Sequence, residues 1–193
     1  MYEKMIAPFE VVPFELMTKL EARTYLGWFT SEIPKRIEVL RAFYHETTGS
    51  SPNDLDLSEK SLGILWRWFI PQITMVPKTA EELEEEISMT PEWLRDEVLK
   101  ENSKKFSEET SSIIIDIGIY FGTVFINLFS SLDWGVVHTP KNYVYVNRPV
   151  IKGFGKVEMN PIAIVYNISL RYLRNRSNER QLIDVFNVWK EYL

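Results

Sequence analysis

The stretch Ile113-Ile-Ile-Asp116-Ile-Gly118-Ile-Tyr120-Phe-Gly122-Thr-Val-Phe-Ile-Asn127-Leu-Phe129 decides how this chain folds. Its opening run of branched residues, Ile113, Ile114 and Ile115, has strand propensity. Its length argues the other way, because a segment from Ile113 to Phe129 without a turn signal is long for a strand. Ile113, Ile117, Phe121, Val124 and Leu128 also share one helical face, and Gly118 and Gly122, four apart, leave room for a close helix neighbour. The spacing therefore predicts a core helix from about Glu108 to Leu132. A membrane span would need roughly 20 apolar residues, and an Asp at its centre costs about 2.5–3.5 kcal/mol. The stretch is short and carries Asp116, so the expectation is a buried helix and no membrane insertion.

N-terminal to it the chain reads as helical. Thr18 with Glu21 forms a capping box, followed by an apolar stripe of Tyr25, Trp28, Phe29, Ile33, Ile37, Leu40 and Tyr44. Pro34 falls inside that stripe and predicts a kink or a break. A second helix is expected from Asp56 or Ser58, with Leu62, Leu65, Trp66 and Phe69 inward and Pro71 ending it. Ile73 to Val76 reads as a short extended piece, and Thr79 with Glu82 caps an acidic helix over Glu81 to Ile87. Thr90-Pro91-Glu92 opens another helix, carrying Trp93, Leu94 and Val98.

On the C-terminal side the texture changes. Trp134 to Thr139, Lys141 to Asn147 and Pro149 to Phe154 read as three short strands. Tyr143, Tyr145 and Asn147 alternate with Val144 and Val146, as on a half-buried strand. Asn160-Pro161 then starts a helix to about Arg174, and a last one is expected over Asn178 to Tyr192. The predicted fold is α+β: a mainly helical body, a small antiparallel sheet at about residues 133–157, and two closing helices. Residues 1–193 read as one domain, and a subdomain boundary, if there is one, falls in the polar segment 102–109.

Composition removes most catalytic chemistry. With 193 residues, no cysteine and two histidines, there is no disulfide scaffold, thiolate metal site or cysteine nucleophile. No Gly-x-Ser-x-Gly elbow is present, no His pair has metallohydrolase spacing, and Gly153-Phe-Gly155 lacks the rest of a phosphate loop. No cofactor and no metal are expected. The net charge of −5 disfavours nucleic acid, although it averages −8 over residues 1–110 and +3 over residues 111–193. Arg171, Arg174, Arg176 and Arg180 cluster near the last inter-helix turn, and Glu81, Glu82 and Glu84 to Glu86 form an acidic patch. They read either as solvated helix faces, or as an acidic half that meets a basic partner and an arginine cluster that binds nucleic acid.

Two features carry the candidate site. Asp116 is a lone acid in an apolar run, and a buried carboxylate must find a partner or a proton. It is read either as a structural ion pair or cap, or as a pocket carboxylate paired with Lys141, Arg148 or His138, with Tyr120 beside it. The second is the polar-aromatic ladder of Trp134, His138, Lys141, Asn142, Tyr143, Tyr145, Asn147 and Arg148, either an ordinary sheet or a binding surface.

The segments Asp116-Ile-Gly-Ile-Tyr-Phe-Gly122 and Lys141 to Phe154, with Met159-Asn-Pro161, Lys19-Leu-Glu-Ala to Trp28-Phe29 and Pro34-Lys-Arg-Ile37, resemble a family of uncharacterised small bacterial proteins. Some proteins of that kind look like immunity proteins encoded beside polymorphic toxins. The resemblance implies an intracellular, non-enzymatic protein and transfers no catalytic residue. The expected function is therefore cytoplasmic binding of a protein partner, with a homo-oligomer left open. The alternative is a small hydrolase or ligand-binding enzyme with a pocket around Asp116, Tyr120, His138 and Lys141.

Overall fold

The computed structural model describes residues 2–92, 95, 103–175 and 178–193. The helix predicted to carry Trp93, Leu94 and Val98 lies outside the described residues, as do Asn102 of the expected boundary and Arg176 of the arginine cluster. Helix α1 spans Lys19–Thr48 and opens on the expected capping box, with Thr18 Oγ1 accepting from the Glu21 N–H at 3.2 Å and Glu21 accepting from the Thr18 N–H at 2.7 Å. It runs through Pro34 without the predicted break. Phe29 before the proline and Ile37 and Leu40 after it are all buried in one core, and that shared burial offsets the hydrogen bond the ring removes.

Helix α2 (Glu59–Phe69) starts on the Ser58 cap and buries Leu62, Leu65, Trp66 and Phe69. Strand β1 (Met75–Pro77) leads to α3 (Ala80–Met89), which carries the second capping box. Strand β2 (Lys104–Phe106) pairs antiparallel with β1, Met75 opposite Phe106. Strand β2 lies within the polar segment 102–109, and Thr74, just before β1, donates to Thr110 Oγ1 of the following helix at 3.0 Å.

The deciding stretch forms α4, Glu108–Leu128, capped by Ser107. It is long and apolar enough to cross a membrane, yet two-thirds of its apolar window (67%) is buried inside the fold. Gly118 meets a helix neighbour as the spacing suggested, whereas Gly122 meets the sheet that follows. A Cβ on Gly118 would lie 2.6 Å from Ile162 Cα, and one on Gly122 would lie 2.8 Å from both Trp134 and Ile151 side-chain atoms.

A three-stranded antiparallel sheet follows, in the order β3 (Asp133–Gly135), β4 (Val150–Phe154) and β5 (Val157–Met159). The strand predicted over Lys141–Asn147 is absent, and its place is taken by turns closed by Tyr143 N–H to Pro140, Val146 N–H to Tyr143 and Arg148 N–H to Tyr145. Alternation alone misled, because Asn147 sits at φ 58°, a left-handed conformation that ends an extended run. The third strand is instead β5. Helices α5 (Pro161–Leu173) and α6 (Gln181–Lys190) close the molecule, giving an α+β, mainly helical fold. Helix α5 packs along α4, and α6 packs against α2.

Candidate binding cleft

Asp116 takes the structural option, with partners other than those named for it. Arg36 reaches it from α1 with two hydrogen bonds, Nε to Oδ1 at 2.9 Å and Nη2 to Oδ2 at 2.6 Å. The Tyr2 hydroxyl donates to Oδ2 as well. The Asp116 side chain is fully buried and that of Arg36 is 1% exposed. Arg36 Nη2 also donates to the Glu3 carbonyl at 2.6 Å. Burial pushes the Asp116 carboxyl up, opposed by the bonds from Arg36 and Tyr2. Burial, and then the charge of Asp116, push the Tyr2 phenol up, so it keeps its proton and donates it. Burial also works against the charge of Arg36, but the hydrogen bonds and charge of Asp116 outweigh it. The three groups satisfy one another and pin the N-terminus to the core.

The pocket expected around Asp116, Tyr120, His138 and Lys141 does not assemble. Tyr120 faces α2 instead. Its hydroxyl accepts from the Leu57 N–H at 2.8 Å and lies 2.6 Å from Ser61 Oγ, which donates to the Ser58 carbonyl. That chain supports Leu57 at φ 62°, a conformation that costs a branched side chain about 1 kcal/mol or more. His138 bonds Asn147 Oδ1 through Nδ1 at 2.7 Å. Lys141 and Asn142 are exposed in the turn after Pro140. Trp134 lies under α1, its ring 5.0 Å from that of Phe29, and lines a shallow hollow with Arg23, Thr30 and Asp133. His45, the other histidine, closes α1 against the Ser50 carbonyl. Among the described residues no group of three or more His, Asp and Glu side chains is placed to hold a metal ion.

Tyr145, Asn147 and Arg148 converge elsewhere, on a cleft of about 440 Å³ between the N-terminal arm, α1, the 144–149 turn and α5. Tyr25, Trp28 and Phe29 form its α1 wall, Met5 and Phe14 its arm wall, and Ile162, Ala163 and Tyr166 its α5 wall. Asn147 builds this arrangement without lining the cleft. Its buried amide donates to the carbonyls of Phe14 at 2.9 Å and Met17 at 3.0 Å while accepting from His138, so it ties the arm to the turn. Phe14 in turn packs edge-on against Tyr25, with centroids 4.9 Å apart.

Arg148 is the one charged residue among those that line the cleft. Its guanidinium carbon sits 4.7 Å over the Phe14 ring, a cation–π placement that holds the charge at the lip. It also opposes, by its charge, the upward shift that burial gives the Tyr25 phenol. Asn160, 8% exposed, caps α5 by accepting from the Ala163 N–H at 2.9 Å. That bond fixes which amide atom is oxygen and turns Nδ2, a donor, away from the helix.

Sequence reasoning found Tyr145, Asn147 and Arg148 but missed Phe14, Tyr25, Trp28 and Asn160. Tyr25 and Trp28 read as part of a helix stripe and Asn160 as a cap, and both roles are real; Phe14 carried no local signal, and only the fold brings them to one cavity. Such a site is concave, apolar and sparsely polar, as small-ligand and side-chain pockets are. Compared with known proteins, the chain matches no family, no curated protein and no solved structure.

Proposed function

We propose that the protein acts by binding rather than by catalysis, and that a protein partner places an apolar or aromatic side chain in the cleft between the arm, α1 and α5. The observation that carries this reading is the open aromatic cleft itself. Trp28, Tyr25 and Phe29 present rigid apolar faces there, and residues of that kind dominate the energetics of protein interfaces. The dispersal of Asp116, Tyr120 and His138 to separate partners, and of Lys141 to an exposed turn, removes the support for a hydrolase. The resemblance to immunity-type bacterial proteins suggests a partner met inside the cell.

The test fills the cleft. Ala163→Trp puts a bulky ring into the α5 wall, and an unchanged melting temperature controls for folding. Affinity capture from the source organism with the wild-type chain is expected to return one protein in stoichiometric amount, lost with Ala163→Trp. Recovery of the same protein with both baits, or of none in stoichiometric amount, overturns the proposal.

A further inference from the structure

We propose, resting on the reading of the cleft as the binding site, that it recognises an apolar carboxylate: an aromatic or branched body against Trp28 and Phe29, and a carboxylate held between Arg148 and Asn160. Four observations converge on that chemistry. The lining holds one cation and no acid, so an anionic group is the charge it complements. Among the described residues the Arg148 side chain makes no hydrogen bond and no ion pair, yet it is not loose, because Phe14 beneath it is fixed by Asn147 and Tyr25. A preplaced guanidinium loses little freedom on taking a planar two-oxygen partner. Asn160 is more than nine-tenths buried, lines the cleft, and has Nδ2 without an acceptor once Oδ1 is committed to Ala163.

The fourth observation is the position of α5. Asn160 and Pro161 begin that helix at the cleft, so its positive end faces the same space. The β4–β5 ladder seats Ile151 opposite Met159, which brings Arg148 and Asn160 off the same open end of the hairpin. The guanidinium, the buried amide and the helix end thus surround one edge of an otherwise apolar cavity. At about 440 Å³ the cleft lies near the low end of ligand pockets, about 300–1,000 Å³, and suits one small acid or a terminal residue. The same chemistry comes from two sources, a free apolar acid or the C-terminal residue of a polypeptide.

The experiment is an NMR titration of the full chain that follows the Asn160 side-chain amide and the Ala163 N–H. The probes are 3-phenylpropionate, 3-phenylpropanol and 3-phenylpropylamine, together with a pentapeptide ending in phenylalanine as free acid and as C-terminal amide. The acids are expected to shift both reporters and to bind about tenfold or more tightly than the alcohol and the peptide amide, the worth of one charge-assisted hydrogen bond. The amine is expected to bind weakest. Arg148→Gln should bring 3-phenylpropionate to the level of the alcohol. Asn160→Asp keeps an oxygen for the Ala163 N–H but puts a negative charge where Nδ2 was, and should abolish acid binding with the fold intact.

Equal affinity for acid, alcohol and amine, an unchanged affinity in Arg148→Gln, or no binding of any probe at about 10 mM overturns the proposal. Binding of the small acid without the peptide acid upholds the carboxylate and removes the protein partner. A peptide amide that binds as well as the peptide acid does the reverse.

Discussion

Removing Asp116 tests the buried ion pair on which the arm depends. In Asp116→Ala the Arg36 guanidinium, 1% exposed, loses both carboxylate bonds and keeps the Glu3 carbonyl at 2.6 Å and a distant Glu3 carboxylate at 3.8 Å. Breaking such a pair by deleting one partner costs about 3–5 kcal/mol, because the surviving charge stays desolvated. The Tyr2 hydroxyl loses its acceptor at the same time, worth about 1 kcal/mol or more. Against a total stability of about 5–15 kcal/mol this is a large fraction. With a urea slope of about 2 kcal/mol per molar, the unfolding midpoint should fall by about 2 M, read by circular dichroism at pH 7. Tyr2→Phe/Arg36→Met/Asp116→Leu removes every charge and every hydroxyl from the cluster at similar volume. It should recover most of the loss, as apolar replacements of buried pairs do. A midpoint shift below about 0.5 M in Asp116→Ala, or a triple variant no more stable than the single one, refutes the reasoning.

Three further outcomes follow from local geometry and from titration. Gly118→Ala should destabilise by about 1–3 kcal/mol, because its Cβ would meet the Ile162 backbone at 2.6 Å. Gly27→Ala, in α1 with nothing within 4 Å, should stabilise by about 0.5–1 kcal/mol, and chemical denaturation separates the two signs. The Thr18 backbone N–H holds the Glu21 carboxyl below its ordinary range, and Lys105, followed by Thr79, does the same for Glu82. Groups depressed in the folded state stabilise it above their unfolded value and lose that contribution as pH falls through the folded one. Melting temperature should therefore fall from about pH 5 to about pH 3, less steeply in Glu21→Gln/Glu82→Gln, and an unchanged slope in that variant counts against the assignment.

What the chain discloses in advance is what its physics keeps local. Both capping boxes, the Asn160-Pro161 start and the close approach at Gly118 depend on residues a few positions apart, and each is where the spacing puts it. The break offered at Pro34 does not occur, because the proline's cost is local while the burial that overrides it, by Phe29, Ile37 and Leu40, is tertiary. The Lys141–Asn147 alternation failed for the same reason. Asn147 answers to Phe14 and Met17, 133 and 130 residues away, and that demand outranks a strand pattern. Asp116 announced that it needed a partner, but Arg36 lies 80 residues distant, and nothing local joins the two. Within the cleft, Arg148 and Tyr145 were legible as polar-aromatic residues, whereas the cavity exists only once the arm is laid across α1.

The laying down of that arm connects the ion pair to the cleft. It is anchored twice through buried polar groups: by Tyr2 on Asp116 with the Glu3 carbonyl on Arg36, and by the Phe14 and Met17 carbonyls on Asn147. Met5 and Phe14, which wall the cleft, lie on the length of arm between those anchors. Apolar contacts alone would hold the arm against α1 but not fix its register, because dispersion and burial have no direction. Hydrogen bonds to a carboxylate, a guanidinium and a side-chain amide do have direction. The buried pair therefore adds little net stability over an apolar substitute and much positional definition to the cleft wall. The triple variant separates the two contributions. It should melt near the wild type yet bind 3-phenylpropionate more weakly, because Met5, two residues beyond the lost Tyr2–Glu3 anchor, would no longer be held at one place in the cleft wall.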